Sequence, residues 1–165
     1  MNAVDYAKLQ LEEAFGLVNI VVQGLDEEQY NWQAEGTTCN SVAKSHAHAL
    51  SSIDFFVNGV VGGGEVRWAS TAEKMGLPGH PLGIWQSDAR IPLEAMQEYG
   101  KQVHDSAMAA LSKLSDADLD REIETQYFGK KSAAWYIQLA GLHTTGHAGD
   151  MASVKGMQGL KGLPF

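Results

Sequence analysis

WYIQLAGLHTTGHAGDMASVKGM, residues Trp135–Met157, is the stretch that indicates the fold, and it carries two histidines four residues apart. Residues at this spacing are offset by about 40° on an α-helix, so His143 and His147 share one face. Asp150 follows on that face, and Ser132 can cap the helix. Four apolar residues lie on or close to it: Leu139, Ala140, Met151 and Val154. The stretch therefore predicts a long helix with histidines directed into a packed interior.

Three further segments have the apolar spacing of amphipathic helices: residues 3–23, 40–58 and 91–114. Either Asn40 or Ser41 can cap the second of them. Four long amphipathic helices bury their apolar faces most simply as a bundle. We therefore predict an all-α four-helix bundle with a long crossover loop between helices 2 and 3.

Residues 59–90 form that connection, and their glycines and two prolines exclude a continuous helix. Long loops inside compact domains often cover a binding site. Trp68, Trp85 and His80 could line a pocket beneath this loop, or the two tryptophans could only anchor it to the core.

Shorter elements separate the last two long helices and follow the final one. SDADLD, residues 115–120, predicts a short helical turn capped by Ser115. REIETQYFGKK, residues 121–131, has the alternation of an extended excursion. GLKGLPF, residues 159–165, breaks the final helix with glycine and proline.

Composition limits the class of protein. The 165 residues, 44% hydrophobic and 19% charged, suit one domain over residues 1–165. A net charge of -8 argues against nucleic acid as a partner. The sequence has neither a secretion signal nor a run of about 18 apolar residues, so we expect a soluble, cytoplasmic protein with no membrane partner. Its single cysteine, Cys39, excludes an internal disulfide.

The paired histidines suit a metal, since neutral imidazole is a common ligand of Zn, Fe, Ni and Cu. An HxxxH pair alone is a weak signal. The zinc-protease motif needs Glu directly after the first histidine, where this chain has Thr144. The chain also lacks the paired Glu-x-x-His motifs of di-iron bundles. A mononuclear site is favoured, and it needs a third ligand.

Helix 2 offers two histidines for that role. His46 and His48 are about 200° apart, so only one can face a site in the core. The apolar stripe taken alone favours His46, which lies near Val42. His104, on the third helix, is predicted to be exposed or paired with a neighbour.

The chain resembles the DinB-like, or YfiT-like, superfamily of metal-binding four-helix bundles. The resemblance covers nearly the whole chain, and its motifs occur in order: GLDEEQYNW at 24–32, Asn40-Ser41-Val42 with His48 downstream, LSDADLDREI at 114–123, and Leu142-His143 through His147-Ala148-Gly149. In that family one histidine of helix 2 and two of helix 4 bind the metal. The resemblance thus implies a site of His48, His143 and His147, with His48 chosen over His46.

The resemblance also implies a cofactor and a reaction class. The metal is Zn, Ni, Fe or Mn, and a cation there lowers the pKa of a bound water or thiol. Relatives include thiol-dependent enzymes, among them maleylpyruvate isomerase and bacillithiol transferases, and proteins described as metal-dependent hydrolases. We therefore expect a metal-dependent thiol transferase or hydrolase that acts on a small electrophilic molecule, with a low-molecular-weight thiol as a possible cofactor. We also expect a homodimer.

Several alternatives stay open at this point. Asp150 stands where the family often has Gln, and it could orient His147, act as an extra ligand, or be a solvated or capping residue. Cys39 could be a nucleophile activated by the helix dipole, or an ordinary spare thiol. The whole protein could instead be a non-catalytic, stress-related bundle with a structural or absent metal.

Overall fold

The first amphipathic segment forms α1, Ala3–Val22, in the computed structural model, which describes residues 1–163. The Asp5 backbone N–H donates to Oδ1 of Asn2 at 2.7 Å and caps the helix. The polar connector that follows contains a short helix, α2, Glu27–Asn31. A reciprocal capping box between Asp26 and Gln29 starts α2, so local pairing makes these residues helical without an apolar stripe.

The second predicted helix is divided in two. α3, Val42–Ile53, is followed by a π-helix, Asp54–Val61, where the sequence predicts one α-helix to about residue 58. The N-cap is Ser41, whose hydroxyl accepts the Lys44 N–H at 3.2 Å. An apolar pattern over so short a segment cannot separate α from π winding, which explains the difference.

The π-helix begins at Asp54, a buried carboxylate that joins three parts of the chain. Its Oδ2 accepts the backbone N–H groups of Arg67 at 2.7 Å and Trp68 at 3.0 Å, and the hydroxyl of Tyr99 at 3.0 Å. Its Oδ1 accepts from Nδ2 of Asn58 at 2.9 Å. Burial and this carboxylate raise the pKa of Tyr99 far above its ordinary value, so the hydroxyl remains a donor.

Residues 59–90, predicted as one long loop, contain two short helices after the end of the π-helix. They are α4, Trp68–Lys74, and a 3-10 helix, Pro81–Gln86. Pro81 fits the first turn, where its missing N–H has no helical partner to lose. Continuous helix is excluded as predicted, but the predicted long loop is interrupted by these two short helices.

The third long helix is α5, Leu93–Leu111, followed by a 3-10 turn, Asp116–Asp120, with the predicted cap at Ser115. The predicted extended excursion is an antiparallel hairpin of β1, Glu122–Thr125, and β2, Gly129–Ser132. The all-α prediction therefore holds for most of the chain, which is mostly helical, and is wrong for this hairpin.

The final helix is α6, Ala133–Met157, and Ser132 caps it by accepting the Trp135 N–H at 3.2 Å. The chain leaves the helix through Gly159, whose φ of 77° favours glycine. The rest of the predicted break, at Pro164 and Phe165, lies outside the described residues.

The long helices pack along their apolar faces around one continuous cluster of buried residues. α6 contacts α1 and α3, while α5 contacts α3 and the π-helix. The buried Lys155 ammonium donates to the carbonyls of Val21 at 2.8 Å and Gln23 at 3.2 Å, which ties α6 to the end of α1. Within the described residues, no helix is long and apolar enough to cross a bilayer.

Candidate metal centre

Two packed helices bring three histidines together. His48 lies in the middle of α3, and His143 and His147 lie one turn apart on α6, which packs against α3. Nε2 of His143 is 3.2 Å from Nε2 of His48 and 3.2 Å from Nε2 of His147. The three histidines that the resemblance selects are therefore neighbours in the fold.

The spacing of these nitrogen atoms can be compared with that of a metal site. One ligand nitrogen from each histidine can be chosen so that all three lie within 4.8 Å of one another. Two nitrogens on a tetrahedral zinc ion, each at about 2.0–2.1 Å, are about 3.3 Å apart. The two 3.2 Å separations from His143 match that geometry, and with the third pair also within 4.8 Å the donor set is compatible with one ion.

The three imidazoles are held in their neutral form. Burial, followed by the nearby His143 and His147, lowers the pKa of His48 to about 3. Burial, followed by His147, lowers the pKa of His143 to about 4. Burial also lowers the pKa of His147, although Asp150 acts in the opposite direction. At neutral pH each ring therefore has a lone pair available for a metal.

Each of the three histidines also has a second ring nitrogen, Nδ1. All three Nδ1 atoms are buried, and none makes a well-aligned hydrogen bond. Oδ2 of Asp150 lies 3.2 Å from Nδ1 of His147, a suitable distance, but the pair is not aligned as a hydrogen bond. A small side-chain rotation would let this carboxylate accept from the ring, as partners of metal-binding histidines commonly do.

The 3-10 helix between α4 and α5 covers the cluster with one aromatic side chain. The Trp85 ring lies 4.5 Å from the ring of His48 and 5.9 Å from that of His147, measured between centroids. Trp68 is instead buried in the core against Tyr99. One predicted tryptophan thus lines the site, while the other anchors the connecting segment.

His46 faces away from this cluster and belongs to the core. It is 1% exposed, and its Nδ1 lies 2.8 Å from the hydroxyl of Tyr30 on α2. The apolar stripe selected His46 because such a stripe marks the face toward the core. The cluster lies at the edge of that face, where His48 is still 8% exposed.

His46 should make the protein sensitive to acid. Burial lowers the pKa of His46 from 6.5 to about 4, so between these values the unfolded chain binds more protons than the folded one. Stability should therefore fall as pH drops from 6.5 to 4, by about 3 kcal/mol from this group. Urea unfolding at a series of pH values should give a flatter profile for His46→Gln than for the parent.

His104 provides the control with the opposite sign. Burial lowers the pKa of His104, but hydrogen bonds to Glu12 and Asp105 outweigh that effect and raise it. Its stabilising contribution is complete below the unfolded pKa and is lost as pH rises through the raised value. His104→Gln should therefore destabilise most at low pH. An unchanged profile in His46→Gln would contradict the expected role of His46.

Two cavities reach the cluster. One, of about 280 Å³, is lined by His147 and Trp85 and by polar groups that include Cys39 and Asp150. The other, of about 370 Å³, is lined by His48 and His143 together with a group of aromatic residues: Phe55, Phe56, Tyr127 and Phe128. Sequence reasoning assigned none of these aromatics to the site. Tyr127 and Phe128 could have been noticed as large apolar residues in a turn.

The chain has relatives in sequence and structure. The family model described as the DinB superfamily matches residues 10–151. A search of the curated proteins gives no significant match. Among solved structures, a conserved protein from Enterococcus faecalis is similar with a TM-score of 0.77 at 14% identity, over 94% of this chain and 96% of that one.

Two further solved structures are similar at low identity. A DinB-like protein from Bacillus subtilis has a TM-score of 0.62 at 21% identity, over 99% of this chain and 97% of that one. A sibling lethal factor precursor, DfsB, has a TM-score of 0.66 at 18% identity, over 97% and 99%. The family match covers most of the chain, and these structures share its fold. The chain belongs to the DinB superfamily.

Proposed function

We propose that this chain is a metal-dependent enzyme built on the DinB-like four-helix bundle. In it His48, His143 and His147 hold one divalent metal, Zn, Ni, Fe or Mn. The site would activate a small thiol or water toward a small electrophilic substrate, as in a thiol transferase or hydrolase. The observation that carries the proposal is the convergence of three imidazole nitrogens within 4.8 Å of one another, with Nε2 of His143 at 3.2 Å from Nε2 of each of the other two histidines.

The bound metal supplies Lewis acidity, which lowers the pKa of a thiol or water. The protein's own side chains keep the histidines unprotonated, orient them and limit their contact with solvent. The lowered histidine pKa values keep the ligands unprotonated at neutral pH. Asp150 is placed to orient His147, and the ring of Trp85 shields His48 from solvent.

The two cavities support a reaction between two molecules. Catalysis requires an approach from solvent, whereas a purely structural metal is usually enclosed by its ligands. The smaller cavity has polar groups beside His147, and the larger is mainly aromatic beside His48 and His143. A polar thiol and a less polar electrophile can thus reach the same centre by different routes.

The first experiment measures metal and activity together. Protein purified without a histidine tag should contain about one metal ion per chain by inductively coupled plasma mass spectrometry. The same protein is then assayed with a panel of thiols and electrophiles, with and without added metal. Turnover that depends on both metal and a thiol indicates a transferase, and turnover with metal and water alone indicates a hydrolase.

Cys39→Ser separates the protein's own thiol from an added one. Cys39 lines the cavity that contains His147, so it could reach the same centre. Unchanged activity in Cys39→Ser would assign the thiol role to an added small molecule. Absence of turnover in every combination would overturn the enzymatic proposal and favour a non-catalytic bundle protein with a structural metal. Absence of metal as well would overturn the whole proposal.

A further inference from the structure

The larger cavity beside the cluster has a largely apolar wall. Its volume is about 370 Å³, and its apolar lining includes Phe55, Phe56, Leu82, Tyr127, Phe128 and Leu139. Pockets for small molecules usually have about 300–1,000 Å³ and a mostly apolar lining with few polar groups. This cavity has that size and composition.

The polar side chains of the wall belong to three histidines, two serines and one tyrosine, and both serines already have partners. The hydroxyls of Ser51 and Ser52 donate to the backbone carbonyl of His48, at 3.0 Å and 2.8 Å. None of the described residues that line the cavity is Asp, Glu, Lys or Arg. A charged group on the part of the ligand that lies away from the histidine cluster would therefore lose its hydration without an Asp, Glu, Lys or Arg counterion.

The rim of the cavity exposes apolar surface that its neighbours do not cover. The exposed fractions are 59% for Tyr127 and 40% for Phe128, in the turn of the β1–β2 hairpin, and 55% for Leu82 in the 3-10 helix. Phe55 and Phe56 in the π-helix contact this turn, with ring centroids 6.3 Å from Tyr127 and 5.8 Å from Phe128. The hairpin and the π-helix thus form two aromatic walls of one cavity.

We propose that this cavity binds the uncharged aromatic body of the substrate and directs its reacting end toward His48 and His143. The proposal rests on the function proposed above and specifies the substrate class for that site. A dry cavity of about 150 Å³ is large enough for benzene, so 370 Å³ accommodates a substituted aromatic ring. Stacking on the aromatic walls favours a flat ring over an aliphatic chain.

The test uses the full chain freed of metal with EDTA, so that binding is read without catalysis. Benzyl alcohol is the probe and myo-inositol is the uncharged polar control, both followed by ligand-observed NMR. Benzyl alcohol should bind and myo-inositol should not. Equal binding of the two, or binding of neither, would overturn the proposal.

Two rim substitutions locate the probe. Tyr127→Ala should weaken benzyl alcohol binding about three- to tenfold, by loss of an aromatic wall. Leu82→Asp should weaken it at least about tenfold, because it places a charge at an apolar rim. Both side chains are more than half exposed, so the variants should fold as the parent does. Tyr6→Ala and Leu9→Asp change similarly exposed residues on α1 and should bind the probe like the parent.

Metal content and molecular mass separate this proposal from its alternatives. Probe binding that is weakened by the rim substitutions, with metal content unchanged, supports the proposal. Normal metal content in a parent that does not bind the probe would overturn this proposal alone. Probe binding by a parent that contains no metal as purified, before EDTA treatment, would overturn only the proposed function. A lower mass by sedimentation in Leu82→Asp, with probe binding unchanged, would make the rim a subunit interface and overturn the proposal.

Discussion

The His143→Ala variant is expected to lose its metal, with affinity reduced by more than about 100-fold. Nε2 of His143 is 3.2 Å from both other Nε2 atoms, so its ring is the shared neighbour of the cluster. Loss of an outer partner of a metal ligand already costs about 10–100-fold, and loss of a ligand should cost more. Metal analysis after dialysis measures the effect directly.

Thermal unfolding gives a second reading of the same prediction. A metal that binds only the folded chain adds about 2.7 kcal/mol of stability at 100 times its Kd. Added metal should therefore raise the Tm of the parent and leave that of His143→Ala nearly unchanged. A His143→Ala protein that retains a full equivalent of metal would contradict the proposed site.

His48→Ala and His46→Ala form a matched pair on α3. His48→Ala should lose metal like His143→Ala, because His48 is the candidate ligand from the second helix. His46→Ala should keep it, because the ring of His46 is paired with Tyr30 in the core. Metal that survives in His48→Ala but not in His46→Ala would show that the resemblance selected the wrong histidine.

Asp54→Ala is expected to lower the free energy of unfolding by about 3–5 kcal/mol. The substitution leaves four donors without their acceptor inside the core: two backbone N–H groups, the Tyr99 hydroxyl and the Asn58 amide. Each buried donor left unpaired costs about 1–3 kcal/mol, less whatever relaxation recovers. A domain is typically stable by about 5–15 kcal/mol, so the urea midpoint should fall markedly.

The Asp54→Asn variant separates the contribution of the hydrogen bonds to stability from the contribution of side-chain volume. Its amide oxygen can keep the three bonds now made by Oδ2, and Asn58 can turn its unpartnered Oδ1 toward the new NH₂ group. We expect a smaller loss of about 1–2 kcal/mol. Asp88→Ala, at an exposed carboxylate, should leave the midpoint unchanged. Equal losses in Asp54→Ala and Asp54→Asn would contradict the hydrogen-bond explanation.

The long helices could be predicted from the sequence because local interactions set their boundaries. Ser41 and Ser132 are caps that act within one turn, and the apolar spacing fixes the buried faces between them. The π-helix could not be predicted in this way, because Asp54 at its start has hydrogen-bond partners far along the chain, at residues 67, 68 and 99. α2 and the 3-10 helix at Pro81–Gln86 were missed because these short helices lack an apolar stripe.

The candidate site was predictable only in part. The pairing of His143 with His147 follows from helical geometry, whereas the choice of His48 depended on family resemblance. Periodicity alone selected His46, because an apolar stripe shows which residues face the core and cannot show which residue binds a metal. The aromatic cavity combines the π-helix with a distant hairpin, and no local pattern reveals that contact. The homodimer and the cytoplasmic location stay predictions.

The candidate metal ligands and the cavity rim lie in different kinds of structure. The three histidines are on α3 and α6, whose packing forms part of the core, whereas Leu82, Tyr127 and Phe128 are in surface segments. Residues in such segments can change with little effect on stability. Descendants of this chain can therefore diverge in what they accept while the spacing of the histidines is inherited unchanged.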